Sequence, residues 1–189
     1  MTYRDYNELL ALFDKLIPMI DPNAERSGLA QTPSRMARAW LEWTEGHVTD
    51  IPSLFTTFDD HDGYDELIVC RGCVVNSICE HHGAPIIGTC DVGYLPGERI
   101  IGLSKIPRLV DVFSRRLQVQ ERLTVQIADT FVEYMKPRAI GVIIRAEHLC
   151  MSTRGVRLHN SVTITSCMRG LLEDDDMLRR EFLTLVGEK

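Results

Sequence analysis

The stretch LIVCRGCVV, residues 67–75, decides the fold of this chain because the sequence changes character where it begins. It is rich in β-branched residues and is flanked by turn-forming ones, which is typical of a β-strand. Two stretches of the same kind follow, IIGTCDVGYL (86–95) and RIIGLS (99–104). AIGVIIRAEHLCM (139–151) and VRLHNSVTITSCM (156–168) predict a second pair of strands.

Helical sequence separates these two groups of strands. SKIPRLVDVFSRR (104–116) and VQERLTVQIADTFVEYMK (119–136) predict two helices, and the second one stops before a proline. DDDMLRREFLTLV (174–186) predicts a terminal helix with acidic residues in its first turn. The order of strands, two helices and strands predicts an α+β body.

The residues before this body predict a helical extension. Residues 4–20 are amphipathic, and a second helix is expected to begin with Thr32 as its N-cap and to stop at Gly46. Residues 47–66 are polar, acidic and turn-rich, which indicates a connection. We therefore expect two parts: an extension and connection over residues 1–66, and the main domain over residues 67–189.

Composition argues against several classes of function. The chain has 189 residues, 44% of them hydrophobic, and a formal net charge of −6. This charge argues against non-specific binding to nucleic acid or to a membrane surface. No apolar stretch approaches the roughly 20 residues of a membrane span, and MTYRDYNELL (1–10) is acidic where a signal peptide needs a basic region. We expect a cytoplasmic protein whose six cysteines are thiols or metal ligands.

The stretch SICEHHGAP (77–85) sets a cysteine, a carboxylate and two histidines side by side. Cys79 and His82 have the C-x-x-H spacing that a tight turn can fold onto one metal ion. Cys150, in EHLCM, can complete a set of three ligands and leave the fourth tetrahedral position for water, as a catalytic zinc requires.

Two histidines outside this set are candidates for proton transfer near a zinc-bound water. His81 belongs to the double histidine, and His148 precedes Cys150 by two residues, so the side chains of His148 and Cys150 are expected on one face of a strand. Glu80 can orient a ligand or be solvated. The alternative for any single histidine or cysteine here is a structural side chain.

Cys70 and Cys73 form a C-x-x-C pair, which is a competing metal-site candidate. Positions i and i+3 of a regular strand face opposite sides, so this pair can chelate a metal only if Gly72 forms a turn or a bulge. We expect Cys70 and Cys73 to be ordinary thiols, and Cys90 and Cys167 to be core residues.

Residues 103–109, LSKIPRL, predict an anion site where a strand meets a helix. Ser104 and Lys105 begin the helix, and Arg108 lies near the same face as Lys105. A helix N-terminus with basic side chains suits a phosphate group. Arg154 is a further phosphate candidate or a turn residue.

Residues 118–122, QVQER, suit recognition of a purine edge. The carboxylate of Glu121 can accept hydrogen bonds from N1 and the exocyclic amine of guanine, with support from the amide of Gln120. The alternative for this segment, as for residues 103–109, is a solvated and charged helix surface.

Together these motifs resemble the GTP cyclohydrolase I family, from residue 30 to residue 186. CEHH and RLQVQERLT, in that order and context, are more specific than any single motif. The segments that carry the resemblance are TPSRMARAWLEW (32–43), SICEHH (77–82), GLSKIPRLV (102–110), RRLQVQERLT (115–124), HLCM with RGV (within 148–156), NSVTITS (160–166) and EFLTLV (181–186).

The resemblance implies a zinc enzyme that converts GTP to 7,8-dihydroneopterin triphosphate and formate, the first step of pterin, tetrahydrofolate-type or deazaguanine biosynthesis. It implies that Cys79, His82 and Cys150 bind zinc, whose bound water attacks C8 of the purine. His148 would protonate N7, and His81 would assist proton transfer in ring opening.

The resemblance also implies how the substrate is held. Ser104 is associated with the ribose hydroxyls, and Glu121 would anchor the guanine edge, helped by Gln120 and the backbone near Val119. The side chains expected at the triphosphate are those of Lys105, Arg108 and Arg154, with Arg35 as a further candidate.

The implied fold is the tunnelling fold, an α+β arrangement of antiparallel strands with two helices on one face. In this family, strands of several subunits join into a barrel and build a toroidal homodecamer with active sites between subunits. Gly83-Ala84 departs from the family, which usually carries a bulky apolar residue after the double histidine, and so does the strand around Cys70 and Cys73.

Two other functions fit parts of the sequence. A zinc nucleobase deaminase needs H-x-E followed by P-C-x-x-C, but the C-x-x-C of this chain precedes the histidines and lacks the proline. A ring-forming scaffold or a nucleotide-binding paralogue with a structural zinc predicts that a ligand or a proton-transfer residue is lost, whereas His81, His148 and all three ligand candidates are present.

Overall fold

The computed structural model describes residues 5–58 and 63–187. Contacts divide the chain into two compact units, Met1–Glu45 and Gly46–Lys189. The sequence predicts that the main domain begins at residue 67. The division by contacts does not test that boundary, which stays a prediction. Residues 1–4, 59–62 and 188–189 lie outside the described residues. The start of the first predicted helix at residue 4, part of the predicted connection and the end of the predicted main domain fall on them.

The first unit contains two helices, α1 (Tyr6–Ile20) and α2 (Thr32–Trp43). The carboxylate of Asp5 caps α1 by accepting hydrogen bonds from the backbone N–H groups of its first turn. The predicted N-cap of α2 is wrong by one residue, because Gln31 occupies that position and Thr32 is already helical. The helix also ends before the predicted Gly46, which lies in a separate 3₁₀ turn.

The second unit is an α+β body, as predicted. Its strands are β1 (Thr57–Phe58), β2 (Ile68–Cys79), β3 (Pro85–Leu95), β4 (Ile100–Ile101), β5 (Leu117–Gln118), β6 (Ala139–His148) and β7 (Thr163–Gly170). Its helices are α3 (Lys105–Ser114), α4 (Gln120–Met135), α5 (Leu149–Ser152), α6 (Leu171–Asp174) and α7 (Asp176–Val186).

Five of these strands form one sheet in the order β5-β2-β3-β6-β7. All neighbours are antiparallel except β5, which runs parallel to β2. The short strands β1 and β4 pair separately. The described helices include none that is both long and apolar enough to cross a membrane.

The last two predicted strands are shorter than the sequence suggests. The strand predicted to run to Met151 ends at His148, and the one predicted to start at Val156 starts at Thr163. The neighbouring strand β3 begins at Pro85, which has no N–H to extend the ladder beyond the pair of Ile86 and His148. The chain therefore leaves the sheet after His148.

Apolar side chains cover the sheet on both faces. On one face, α3 and α4 pack against alternate residues of β2, β3 and β6, such as Val75, Val92 and Val142, to form the larger core. On the other face, α7 packs Phe182 against the sheet, within a smaller core. The ring lies over the paired Gly93 and Gly141, where an added Cβ would come within 2.6 and 2.5 Å of it.

Candidate metal centre

The centre begins at the turn that joins β2 to β3. Cys79 is the last residue of β2, and its N–H donates to the carbonyl of Ala84 at 2.8 Å. Gly83 donates back to the carbonyl of Cys79 at 2.9 Å and has φ +64°, a conformation that favours glycine. The glycine that departs from the family pattern therefore suits the tight turn that carries His82.

Cys79, His82 and Cys150 come together as the sequence predicts. The three possible ligand atoms all lie within 4.8 Å of one another, and Cys79 Sγ is 3.7 Å from His82 Nδ1. Two thiols and an imidazole are donors that zinc prefers, and three protein ligands leave a fourth position open. This donor set fits a catalytic zinc ion.

The reason predicted for the position of Cys150 is wrong. Cys150 does not share a strand with His148, because it lies in the helical turn α5 that follows β6. That turn brings its thiol beside Cys79. Burial and the hydrogen bond between the Cys150 and Cys79 thiols raise the pKa of Cys150 above its ordinary value, while the charge of Arg154 acts in the opposite direction. A bound cation would favour the thiolate form instead.

His81 lies beside the three-residue group without belonging to it. Its Nδ1 is 4.0 Å from Cys79 Sγ, and its side chain is 63% exposed. Its Nε2 lies 3.9 Å from the carboxylate of Glu80. An exposed imidazole at this distance from the ligands is free to meet a solute, as a proton-transfer residue must be.

Strand β5 connects the RRLQVQERLT segment to the turn between β2 and β3, which carries His82. Cys79 is the register partner of Gln118, and the N–H of Glu80 donates to the Gln118 carbonyl at 3.0 Å. The carboxylate of Glu80 forms an ion pair with Arg122, which lowers the pKa of Glu80 below its ordinary value. Glu80 therefore links the turn to α4.

Gln120, the first residue of α4, is buried and holds His148. Its amide nitrogen donates to the carbonyls of Ile144 and Thr163 and to the hydroxyl of Thr165, at 3.0–3.1 Å. Its Oε1 lies 2.8 Å from His148 Nε2. Burial lowers the pKa of His148 below its ordinary value, and the charge of Glu121 acts in the opposite direction.

The predicted anion-site residues of α3 have no described contact with the metal ligands, whereas the charge of Arg154 acts on the thiol of Cys150. Ser104 and Arg108 are exposed and Lys105 is half-buried at the start of α3. Within the described residues, no side-chain hydrogen bond or ion pair engages the basic groups of Lys105, Arg108 or Arg154. Glu121 is exposed in the first turn of α4.

Sequence reasoning missed the residues that support Gln120 and Glu80. Thr165 accepts from Gln120, and Thr124 Oγ1 lies 2.6 Å from Thr165 Oγ1. Arg122 holds Glu80. All three stand inside the motifs RRLQVQERLT and NSVTITS, but a motif alone does not show which side chains meet across the fold.

Comparison with known proteins identifies the family of this chain. The family model of GTP cyclohydrolase I matches residues 10–187. GTP cyclohydrolase 1 from Janthinobacterium sp. (strain Marseille) is 48% identical over 176 residues, which cover 93% of this chain and 89% of that protein. GTP cyclohydrolase 1 from Homo sapiens is 40% identical over 178 residues, 94% of this chain and 71% of that protein.

Among solved structures, the apo form of the archaeosine synthase QueF-Like aligns with a TM-score of 0.47 and 15% sequence identity. The alignment covers 57% of this chain and 96% of that one. The match of the family model over residues 10–187, and relatives that share 40–48% identity over more than nine-tenths of the chain, show that this protein belongs to the GTP cyclohydrolase I family.

Proposed function

We propose that this protein is a zinc-dependent GTP cyclohydrolase I that converts GTP to 7,8-dihydroneopterin triphosphate with release of formate. The observation that carries the proposal is the cluster of Cys79, His82 and Cys150 in a chain of this family. The product would enter pterin, tetrahydrofolate-type or deazaguanine biosynthesis, in the cytoplasm.

Cys79, His82 and Cys150 would hold the zinc ion. Bound zinc supplies a water whose pKa is lowered towards neutrality, which is the nucleophile needed at C8 of the purine. The burial of Cys79, which is 4% exposed, limits access of bulk water to that side of the centre.

The hydrogen bonds of Gln120 determine where His148 carries its proton. The amide nitrogen of Gln120 faces three acceptors, so its Oε1 must face the histidine. A carbonyl oxygen only accepts, so the proton of neutral His148 resides on Nε2 and Nδ1 is left as the basic atom. His148 can then take a proton at Nδ1 and deliver it to N7 of the purine.

His81 is proposed to assist a second proton transfer during ring opening. Its exposed ring stands 4.0 Å from Cys79 Sγ, next to the turn that carries His82. Ser104 is proposed to contact the ribose hydroxyls during the later rearrangement.

Substrate selection is proposed to rest on Glu121 and on three basic side chains. The carboxylate of Glu121 can accept two hydrogen bonds from guanine, which adenine cannot offer, and the resulting loss of paired hydrogen bonds would exclude adenine. Gln120 would help to position the base only indirectly, because both ends of its buried amide are already engaged within the chain. The triphosphate would be bound by Lys105, Arg108 and Arg154, whose charges are not paired within the described residues.

The exposure of these residues supports an active site shared between subunits. A pocket that selects a nucleotide buries most of it, yet Ser104, Arg108 and Glu121 are exposed in the single chain. Among the described residues, β7 pairs only with β6, so its other edge leaves backbone groups that a further strand could pair with. We propose that such edges join in the barrel of the tunnelling fold, with a decamer as the complete enzyme.

The proposal is tested by incubating the zinc-loaded protein with GTP and measuring formate and, after oxidation, neopterin fluorescence. Equal yields of both are expected, with both lost in His148→Ala and Cys150→Ser. Cys167→Ser is the matched control, because Cys167 is a buried thiol outside the metal group.

The other outcomes separate the alternatives. Formate without neopterin would indicate an enzyme that opens the ring but does not complete the rearrangement. Release of ammonia instead of formate would identify a deaminase. A folded, zinc-loaded protein that gives none of these products would refute the proposal and favour a scaffold.

A further inference from the structure

The C-x-x-C pair lies on a β-bulge that the proposed reaction does not use. The ladder between β2 and β3 is regular up to Cys70 and resumes at Cys73, so two residues of β2 lie opposite Asp91 alone. Side chains alternate between the two faces of a strand, and the extra residue of the bulge shifts this alternation by one position. Cys70 and Cys73 therefore point to the same face. Their Sγ atoms lie 3.6 Å apart.

Gly72 and Asp91 hold the bulge in place. Gly72 has φ +71°, and its N–H donates to Asp91 Oδ1 at 2.8 Å. The other oxygen of the buried Asp91 accepts from Arg145 Nη1 at 2.6 Å. The close approach of the two thiols is therefore enforced by a glycine in the left-handed region and by a partly buried ion pair.

The two thiols differ in their access to solvent. Cys70 is half-buried, whereas Cys73 is 4% exposed and packs in the core beside Cys90. Burial, and then the neighbouring Cys70, raise the pKa of Cys73 to about 12. A solute can reach Cys70 first, while Cys73 stands behind it as a protected second thiol.

We propose that Cys70 and Cys73 form a redox-active dithiol that closes to an intramolecular disulfide by exchange with a low-molecular-weight disulfide. The Cys70 thiolate attacks one sulfur of the incoming disulfide, forms a mixed disulfide and releases one thiolate. Cys73 then loses its proton and attacks the Cys70 sulfur, which releases the second thiolate. Two protein thiols are oxidised, and one disulfide is reduced to two thiols that take up the two protons.

Closure requires only a local movement of the chain. The sulfurs must approach from 3.6 Å to about 2.05 Å. Gly72, between them, has no atom within 4 Å of the position that a Cβ would take, so the backbone has room to adjust. The pair is separate from Cys79 and Cys150, which belong to the metal group.

Trypsin provides a direct test because Arg71 stands between the two cysteines. The zinc-loaded protein is incubated with oxidised glutathione, its remaining thiols are alkylated, and it is digested without reductant. In the dithiol form, peptides 39–71 and 72–99 are released separately. In the disulfide form they remain linked until a reductant is added.

We expect linked peptides from the native chain and none from Cys70→Ser or Cys73→Ser. The Cys73 variant identifies the partner, because peptide 72–99 also contains Cys79 and Cys90. Cys90→Ala, which removes the neighbouring buried thiol, is the matched control and should retain the link. Cys70→Ser changes a half-buried side chain and is the variant least dependent on refolding of the core.

Three results would each overturn the proposal. The first is a folded native protein whose peptides stay unlinked at every ratio of oxidised to reduced glutathione. The second is a linked pair that persists in Cys73→Ser. The third is a stable glutathione adduct on Cys70 with no internal bond.

Discussion

At the scale of single residues, Gln120 determines how the candidate acid–base residue is oriented. Its amide is fixed by two backbone carbonyls and one hydroxyl, so the position of its oxygen is not adjustable. That oxygen fixes the ring and the tautomer of His148. In the proposed mechanism, the amide therefore acts on the chemistry through the histidine.

Gln120→Ala should lower kcat by about ten- to a hundredfold, because a misplaced catalytic group loses its near-attack geometry. It should also reduce the free energy of unfolding by about 1–3 kcal/mol, since buried carbonyls lose their donor. Formate release and denaturant unfolding measure the two effects.

Gln126→Ala is the matched control for this change. Gln126 lies in the same helix and accepts a hydrogen bond from Gln118 rather than from His148. It should leave the rate of formate release close to that of the native chain. Equal losses of rate in the two variants would show that Gln120 has no special role in holding the histidine.

Cys150→Ser should reduce zinc affinity by at least about a hundredfold. Changes in groups that only support a metal ligand lower affinity by up to about a hundredfold, and loss of a ligand itself should cost at least as much. The reason is that a hydroxyl replaces one of two thiolate donors in the group of three. Zinc retained after dialysis against graded chelator, measured by elemental analysis, reports the affinity. Cys167→Ser should retain zinc as the native chain does, and similar zinc loss in both variants would argue against Cys150 as a ligand.

At the scale of elements, the sequence predicts types of structure better than it predicts their ends. The runs of β-branched residues locate β2, β3 and β6, and the apolar spacing locates α3 and α4, because burial imposes those periods. The end of β6 at His148 depends on Pro85 in the neighbouring strand, which no pattern within β6 itself contains. The same applies to the bulge in β2. Gly72 makes a bulge possible, but its N–H finds a hydrogen-bond acceptor only in Asp91 of the neighbouring strand.

The contact of Phe182 with the sheet predicts a strongly coupled pair of substitutions. Phe182→Ala should reduce the free energy of unfolding by about 3–5 kcal/mol, because it leaves a cavity over the two glycines. Gly93→Ala should reduce it by about 1–3 kcal/mol, because the new methyl group would lie 2.6 Å from the ring.

A double-mutant cycle tests whether the two effects share one cause. In the Phe182→Ala background, Gly93→Ala should have little or no further effect, since the ring it would meet is gone. Urea unfolding of the four proteins gives the coupling energy. Simple additivity would show that the cost of Gly93→Ala arises from the strand backbone and not from Phe182.

At the scale of the whole molecule, the proposed sharing of active sites predicts complementation between inactive subunits. Arg108→Ala alters the part of the site proposed to bind the triphosphate (the triphosphate side), and Cys150→Ser alters the part proposed to bind zinc (the metal side). If each site combines these sides from two neighbours, co-expression should restore about a quarter of the native activity, the fraction of fully intact sites in randomly mixed rings.

The control pairs two variants from the same side of the site. Cys150→Ser co-expressed with His148→Ala should remain inactive, because no arrangement of subunits yields an intact metal side. Formate release per mole of zinc-loaded subunit is the measurement. Failure of the first pair to recover activity, with mixed oligomers verified by mass, would place all these residues within one chain.

The candidate site was predictable to the extent that it lies in short motifs. Cys79 and His82 are close in sequence and have a spacing that can bind a metal, but the spacing of two ligands does not by itself establish a site. Cys150 is predicted as the third ligand that such a site requires. The support of Gln120 by Thr165 depends on how α4 packs on β7, which is a property of the assembled sheet. Residues such as Glu121 and Arg108 remain exposed in the single chain, so the substrate-binding roles proposed for them depend on the proposed assembly of subunits and not on the single chain alone.

The packing of Phe182 over Gly93 and Gly141 also has a consequence for the order of folding. The surface that receives the ring exists only after β3 and β6 have paired in register, because each strand supplies one of the two glycines. The helix α7 follows every strand of the sheet along the chain, so it reaches the ribosome exit after the surface that receives it. Docking of the helix is therefore a late event, and until it happens one face of the sheet stays uncovered and open to association with other nascent chains.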